Sequence, residues 1–163
     1  MPEGEPRDRL ARVIARLAER FSAPPFPPHV TLLSGIEGHA ADEVLAAGRA
    51  LAAAVRPFPL RFRRVEGRDE FFRCLFLAAD LDEPLRAARA AGGRAFGRAS
   101  DPDFLPHLSL VYGALPTTTK QELAVELGDI VTLSFEAARL HLWRTEGPVP
   151  AWQQIAVFDL AGA

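Results

Sequence analysis

Two stretches of this chain follow one pattern: "PPFPPHVTLL" at residues 24–33 and "FLPHLSLVYG" at 104–113 both contain Pro-His-apolar-hydroxyl-Leu. Whatever fold hosts one must host the other, so this pair constrains the architecture more than any bulk property does. Proline fixes φ, has no N–H to donate and pushes the residue before it to an extended conformation, so each motif enters its apolar run extended. The β-branched and apolar residues that follow predict a strand in both places. Side chains two apart on a strand share a face, which sets His29 beside Thr31 and His107 beside Ser109.

The elements around the motifs repeat as well. "DRLARVIARLAERF" carries Leu10, Val13, Ile14, Leu17 and Phe21 at helical spacing. "ADEVLAAGRALAAAV" predicts a second helix, with Val44, Leu45, Leu51 and Val55 toward the core and Gly48 allowing close packing. "FPLRFRRVEG" and "EFFRCLFLAA" alternate like two hairpin strands joined by a turn at Gly67 to Asp69. "DEPLRAARAAGG" opens a helix with Asp82 as cap and Pro84 in the first turn, and meets Gly92 and Gly93 near its end. "PTTTKQELAVEL" offers Thr119 and Glu122 in capping-box relation, and "IVTLSFEAARLHLWR" and "AWQQIAVFDL" close the chain as strands. The order helix, His strand, helix, strand, strand thus occurs twice. The expected architecture is α+β, a single bilobal domain over residues 1–163. Its two pseudo-symmetric lobes have antiparallel sheets lining a central groove that holds the four motif residues, with helices outside.

Composition narrows the partners. A chain of 163 residues buries an adequate core without disulfides or metal. A formal net charge of -2 exerts no long-range pull on a polyanion, so duplex DNA is excluded as a partner and any RNA contact is short and local. Cys74 is the sole cysteine; it lies in an apolar run and reads as a small buried hydrophobe in a reducing compartment. With no apolar leader and no run of about 18 apolar residues, the expectation is a cytoplasmic protein with no membrane partner. Nothing in the sequence sets an oligomeric state.

Two imidazoles and two hydroxyls converging on one space, with no carboxylate or thiol in either motif, suit a phosphate. One neutral His takes a proton from water while one protonated His gives a proton to the leaving oxygen, and a reference pKa near 6.5 supplies both forms around neutrality. The hydroxyls of Thr31 and Ser109 donate to non-bridging phosphate oxygens. The chain holds its own comparison: His39 in "GHAAD" and His141 in "LHLWR" lack both the hydroxyl partner and the preceding proline. A catalytic zinc needs a third protein ligand that the motifs do not supply, so neither metal nor cofactor is expected. No Gly-rich phosphate loop is present either, since "AGGRAFGRAS" follows a helix instead of opening one.

The two triplets resemble the paired His-x-Thr/Ser signatures of the 2H phosphoesterase superfamily. "PPFPPHVTLL", "EFFRCLFL", "FLPHLSLVYG" and "AWQQIAVFDL" are similar to successive blocks of its cyclic phosphodiesterase branch, whose plant and yeast members open ADP-ribose 1″,2″-cyclic phosphate. The resemblance implies that His29 and His107 are the catalytic pair and that Thr31 and Ser109 bind the phosphate. It places Phe72 and Tyr112 near the nucleotide or ribose, although strict alternation puts Tyr112 on the face opposite His107 unless the strand bends. Arg73 would meet a pyrophosphate, while Trp143 and Trp152 read as packing. Members of the branch begin with an extra Tyr-Ser-apolar-Trp strand, and here "MPEGEPRDRL" resembles the segment after it. The implied consequence is an unpaired sheet edge, through a shortened start or with another segment covering it.

The implied function is metal-independent opening of ADP-ribose 1″,2″-cyclic phosphate and of nucleoside 2′,3′-cyclic phosphates to phosphomonoesters. The substrate partner is then a small cyclic-phosphate nucleotide. The alternatives are an RNA 2′,3′-cyclic phosphodiesterase of the RNA ligase-like type, acting on short RNA ends, and a noncatalytic nucleotide- or RNA-binding module.

Overall fold

The first helix of the computed structural model, α1 (Gly4–Phe21), forms on the face predicted for it, with Leu10, Ile14 and Leu17 buried. Residues 1–99 and 101–162 are described. Ser22, at φ 52°, ends α1 in the left-handed region and turns the chain into the proline-rich approach to the first motif. After that motif come α2 (Ala41–Ala54), β1 (Phe58–Glu66), β2 (Leu75–Ala79) and α3 (Glu83–Ala95). β3 (His107–Val111), α4 (Thr117–Glu126), β4 (Ser134–Ala137), β5 (Arg139–Arg144) and β6 (Gln153–Asp159) complete the chain. The fold is α+β.

The strands make two unequal antiparallel sheets, one ordered β3-β2-β1-β4 and one pairing β5 with β6. The larger sheet draws β1 and β2 from one half of the sequence and β3 and β4 from the other. Its inner face is apolar because Phe58, Leu60 and Phe62 of β1 alternate with exposed Pro59, Arg61 and Arg63, and Phe135 and Ala137 of β4 continue the row. Leu10 and Leu17 of α1, Leu85 and Ala88 of α3, and Leu123 of α4 close over that face. α2 lies on the smaller sheet, where Gly48 lets the helix backbone approach: a Cβ there would stand 2.8 Å from Leu142 Cδ1. Among the described residues, no helix is long and apolar enough to cross a membrane.

Several local expectations give way to tertiary structure. The "HVTLL" segment is not a regular strand; its ladder contact is a single antiparallel bridge, Val30 to Leu108. In "EFFRCLFLAA" the strand begins at Leu75, and Phe71–Arg73 form a 3-10 turn instead. Gly92 and Gly93 do lie near the end of α3, which runs to Ala95, and Gly92 has a packing role as well, since a Cβ there would meet Leu33 Cδ1 at 2.7 Å. α4 begins at Thr117 without a side-chain cap, so Thr119 and Glu122 form no capping box. Leu45 is 37% exposed, whereas Asp82 caps α3 as expected, accepting the Leu85 N–H at 3.3 Å.

Candidate active site

β3 presents the second motif. Leu108 and Leu110 face the core with no exposure, so His107 and Ser109 project from the other face. There they lie beside Ala78 and Phe76 of β2 in register, and the Phe76 ring meets His107 edge-on with centroids 5.2 Å apart. The Val30–Leu108 bridge brings the first motif alongside. Antiparallel pairing of those two residues sets His29 across from Ser109 and Thr31 across from His107, all four on the face away from the core. The two histidines occupy one diagonal of this array, a position at which backbone neighbours in a regular ladder lie about 7–8 Å apart.

Each motif also locks its own ring. His29 Nδ1 lies 2.7 Å from the carbonyl oxygen of Pro27, and His107 Nδ1 lies 2.8 Å from that of Leu105. A carbonyl has no proton to give, so both Nδ1 atoms are the donors, and Nε2 of each ring is left to accept when neutral or donate when charged. The shared geometry of the two locks has a sequence cause: the accepting carbonyl sits two residues before each His with a proline between, and a residue before proline is held extended. His39 and His141 lack this lock. His39 lies 3.8 Å from Glu43 at the start of α2, and His141 on β5 uses the side chain of Gln154, at 2.9 Å.

Burial lowers the pKa of both site histidines, opposed by the carbonyl that each ring Nδ1–H meets. The N-terminal ammonium and the charge of His107 depress His29 further, whereas Arg73 and Arg68 depress His107 and Glu70 raises it. The presence of His107 among the causes that depress His29 means that the two rings disfavour simultaneous protonation.

Beside this array the β1–β2 connection folds into a tight loop. Gly67 sits where a Cβ would lie 2.7 Å from both the Cys74 carbonyl and Lys120 Cδ, and the Arg68 N–H closes on the Arg73 carbonyl at 3.0 Å. Lys120, buried on α4, donates to the Arg68 carbonyl at 3.1 Å and pairs with Asp69. The loop so fixed carries Phe72, 51% exposed, whose carbonyl accepts the Ser109 hydroxyl at 2.8 Å. Ser109 is therefore engaged and sealed, while Thr31 is exposed. Arg73 leans on Glu70 at 3.3 Å near His107.

Tyr112 reaches the same face. The register between β2 and β3 slips between Leu75 and Phe76, so that Leu75 pairs with Val111 and Phe76 with Ser109, leaving Leu110 as an extra residue. A bulge inverts the alternation beyond it, so Tyr112 turns to the histidine side. There its ring stacks on Phe26 at 3.8 Å, Phe72 meets it edge-on at 5.1 Å, and Trp152 lies 5.8 Å from Phe72. Phe26 touches His29 edge-on at 6.1 Å, which makes the aromatic wall continuous with the imidazole array. Burial pushes the Tyr112 phenol pKa up, with the neighbouring Ser109 hydroxyl as a smaller opposing cause.

Residues 5–148 match the 2′-5′ RNA ligase superfamily. The chain belongs to the 2′-5′ RNA ligase superfamily. The match spans both histidine motifs and agrees with the 2H phosphoesterase resemblance that they carry. The chain is also 27% identical over 168 residues to a protein of Arabidopsis thaliana named "Cyclic phosphodiesterase", covering 98% of this chain and 92% of that one. Among solved structures, the crystal structure of TT0787 of Thermus thermophilus superimposes with a TM-score of 0.56 at 22% identity, over 96% of this chain and 92% of the other. That likeness extends the agreement to the fold.

Within this 2′-5′ RNA ligase superfamily member, all seven residues expected at the site lie around one face: His29, Thr31, His107 and Ser109 in the array, Phe72 and Tyr112 in the aromatic wall, and Arg73 at its cationic side. Phe26 and Arg68 join them without having been singled out from sequence. Phe26 had a signal, being the one aromatic between two proline pairs three residues before His29. Trp152 does pack, its indole N–H donating to the Gly147 carbonyl at 3.3 Å, but it packs against the aromatic wall. Trp143 lies on β5, outside the array. Among the described residues, no three His, Cys, Asp or Glu side chains converge as a metal-binding group.

Proposed function

We propose that the protein is a cyclic phosphodiesterase in which His29 and His107 exchange protons across a bound phosphate. The observation that carries this reading is the pair of identical Nδ1 locks, 2.7 and 2.8 Å, which leave two Nε2 atoms on one face beside two hydroxyls. In the proposed reaction, one neutral His takes a proton from water as the water oxygen attacks phosphorus. The bond from phosphorus to one ribose oxygen breaks, that oxygen takes a proton from the second, protonated His, and a phosphomonoester remains. Thr31 and Ser109 steady the non-bridging oxygens, Ser109 by redirecting its hydroxyl from the Phe72 carbonyl. Positioned acid and base each supply about 10²- to 10⁴-fold.

The substrate read from the resemblance is ADP-ribose 1″,2″-cyclic phosphate, with nucleoside 2′,3′-cyclic phosphates as further substrates. The aromatic wall offers Phe72 to a base or ribose, and Arg73, paired with Glu70 near His107, is the cation offered to a second phosphate. A second reading, hydrolysis of 2′,3′-cyclic phosphates at short RNA ends, is favoured by the superfamily match and by Arg68 beside Arg73. Turnover of ADP-ribose 1″,2″-cyclic phosphate, a nucleoside 2′,3′-cyclic phosphate and a cyclic-phosphate-ended oligonucleotide, each in EDTA, ranks the substrates. The expected result is turnover that survives chelation and collapses in His29→Ala and His107→Ala. Binding of all three without turnover would replace the enzyme reading with a nucleotide-binding module.

A further inference from the structure

The first motif faces a difficulty that β3 does not. Among the described residues the chain makes no ladder pairing between Val30 and β1, yet backbone acceptors in a packed setting need a partner. Two arginines supply it: Arg89 of α3 donates from Nη1 to the Leu32 carbonyl at 2.5 Å, and Arg98 donates to the Gly35 carbonyl.

Arg89 alone of these two also reaches the second motif. Its Nη2 lies 3.5 Å from Asp101 Oδ2, and its guanidinium carbon lies 4.6 Å from the centre of the Phe104 ring. Asp101 in turn shapes the approach to β3, its Oδ1 accepting the Asp103 N–H at 3.0 Å and its carbonyl the Phe104 N–H at 3.3 Å. That turn delivers the Leu105 carbonyl, which locks His107. One planar side chain, 20% exposed, therefore grips the backbone one residue after Thr31 and the aromatic three residues before His107.

We infer that Arg89 is a positioning residue that sets the separation of the two histidines. Among the described residues its contacts are the Leu32 carbonyl, Asp101 and the Phe104 ring, not the two imidazoles. It acts by tying the segment that leaves the first motif to the segment that enters the second, and it rests on the phosphodiesterase reading only for its kinetic consequence. A lysine reproduces one donor but neither the fork to two acceptors nor the stacking on Phe104.

The test uses the full chain as wild type, Arg89→Lys and Arg89→Met. With a nucleoside 2′,3′-cyclic phosphate, Arg89→Met is expected to lose about 10²-fold in kcat per folded molecule with KM little changed, because misplacement by an ångström costs that much. Arg89→Lys is expected to fall between it and wild type. A merely structural arginine would lower the melting temperature and leave kcat per folded molecule at the wild-type value, which overturns the inference. Inorganic phosphate supplies a readout free of turnover: followed at the imidazole nitrogens by NMR, it shifts His29 and His107 with one shared Kd in wild type and with two separate Kd values in Arg89→Met. A shared, unchanged Kd in Arg89→Met overturns the inference as well. Wild type that turns over no cyclic phosphate refutes the phosphodiesterase reading, and the phosphate titration then decides Arg89 by itself. If Arg89→Met does not fold, Arg89→Lys carries both readouts, with smaller changes in the same directions expected and wild-type values overturning the inference.

Discussion

His107 and Ser109 ride on a strand paired along its length to β2, with Ser109 4% exposed and bonded to the Phe72 carbonyl; His29 and Thr31 ride on a segment that meets the sheet at one bridge, with Thr31 open to solvent. The same triplet is thus delivered by a ladder in one place and by side-chain clamps in the other. What both keep is the short-range part, the X-Pro-His turn that points a carbonyl at Nδ1. The chemistry of a motif can therefore be duplicated while its support is not, and the two supports should respond differently when broken.

The largest effects test whether the histidines are equal despite that difference. His29→Ala and His107→Ala are each expected to reduce kcat/KM about 10²- to 10⁴-fold. Because acid and base act on one transition state, the double variant should lose little more than the worse single one. Full additivity in a cycle of the four proteins would show that the two rings act in separate steps or sites.

Next in size are the hydroxyls, where the supports diverge. Thr31→Ala should lower kcat about tenfold and leave stability within about 0.5 kcal/mol, as expected for an exposed side chain. Ser109→Ala should lower activity too, but it also leaves the Phe72 carbonyl without its donor, at a cost of about 1–3 kcal/mol. Chemical denaturation of both variants checks this; equal stability losses would remove the contrast. Phe72→Ala should mainly raise KM, by roughly tenfold, in keeping with about 1–3 kcal/mol for an aromatic that stacks a base. A Phe72→Ala protein with unchanged KM for every nucleotide tested would remove that residue from the binding surface.

How much of this was legible in the sequence follows the range of the interactions involved. The four motif residues were readable because proline, imidazole and hydroxyl sit within four positions and the strand period does the rest. The strand expected at 29–33 was not, since a strand needs partners along its length and propensity reports nothing about them. Tyr112 changed face through one extra residue at Leu110, which has no local signature, and Phe72 left its strand because Gly67 and Lys120, 53 positions apart in the chain, close the loop beneath it. Gly92 was readable as a residue near the end of α3, but its packing role was not, because Leu33 lies 59 positions away. Arg89 touches Leu32, Asp101 and Phe104, and no window of sequence holds all three.

The smallest effects concern pH, and they can separate the two rings. Both sit below the ordinary histidine value of 6.5, burial being the first cause. The sign follows: a ring whose folded pKa is depressed contributes fully above 6.5, and as pH falls below it the unfolded chain takes up the proton first, so stability declines until the folded rings have titrated. Since kcat/KM reports the free enzyme, its bell should peak on the acid side of 6.5. Arg73 depresses His107, whereas the charges that depress His29 are those of the N-terminal ammonium and of His107. Arg73→Gln should therefore move the limb that belongs to His107 toward higher pH and move the other limb less. Movement of the acid limb would give His107 the lower pKa of the pair, and movement of the alkaline limb the higher. Two limbs moving together would mean that the rings titrate as one coupled unit, and the contrast between ladder and clamp would then stop short of their electrostatics.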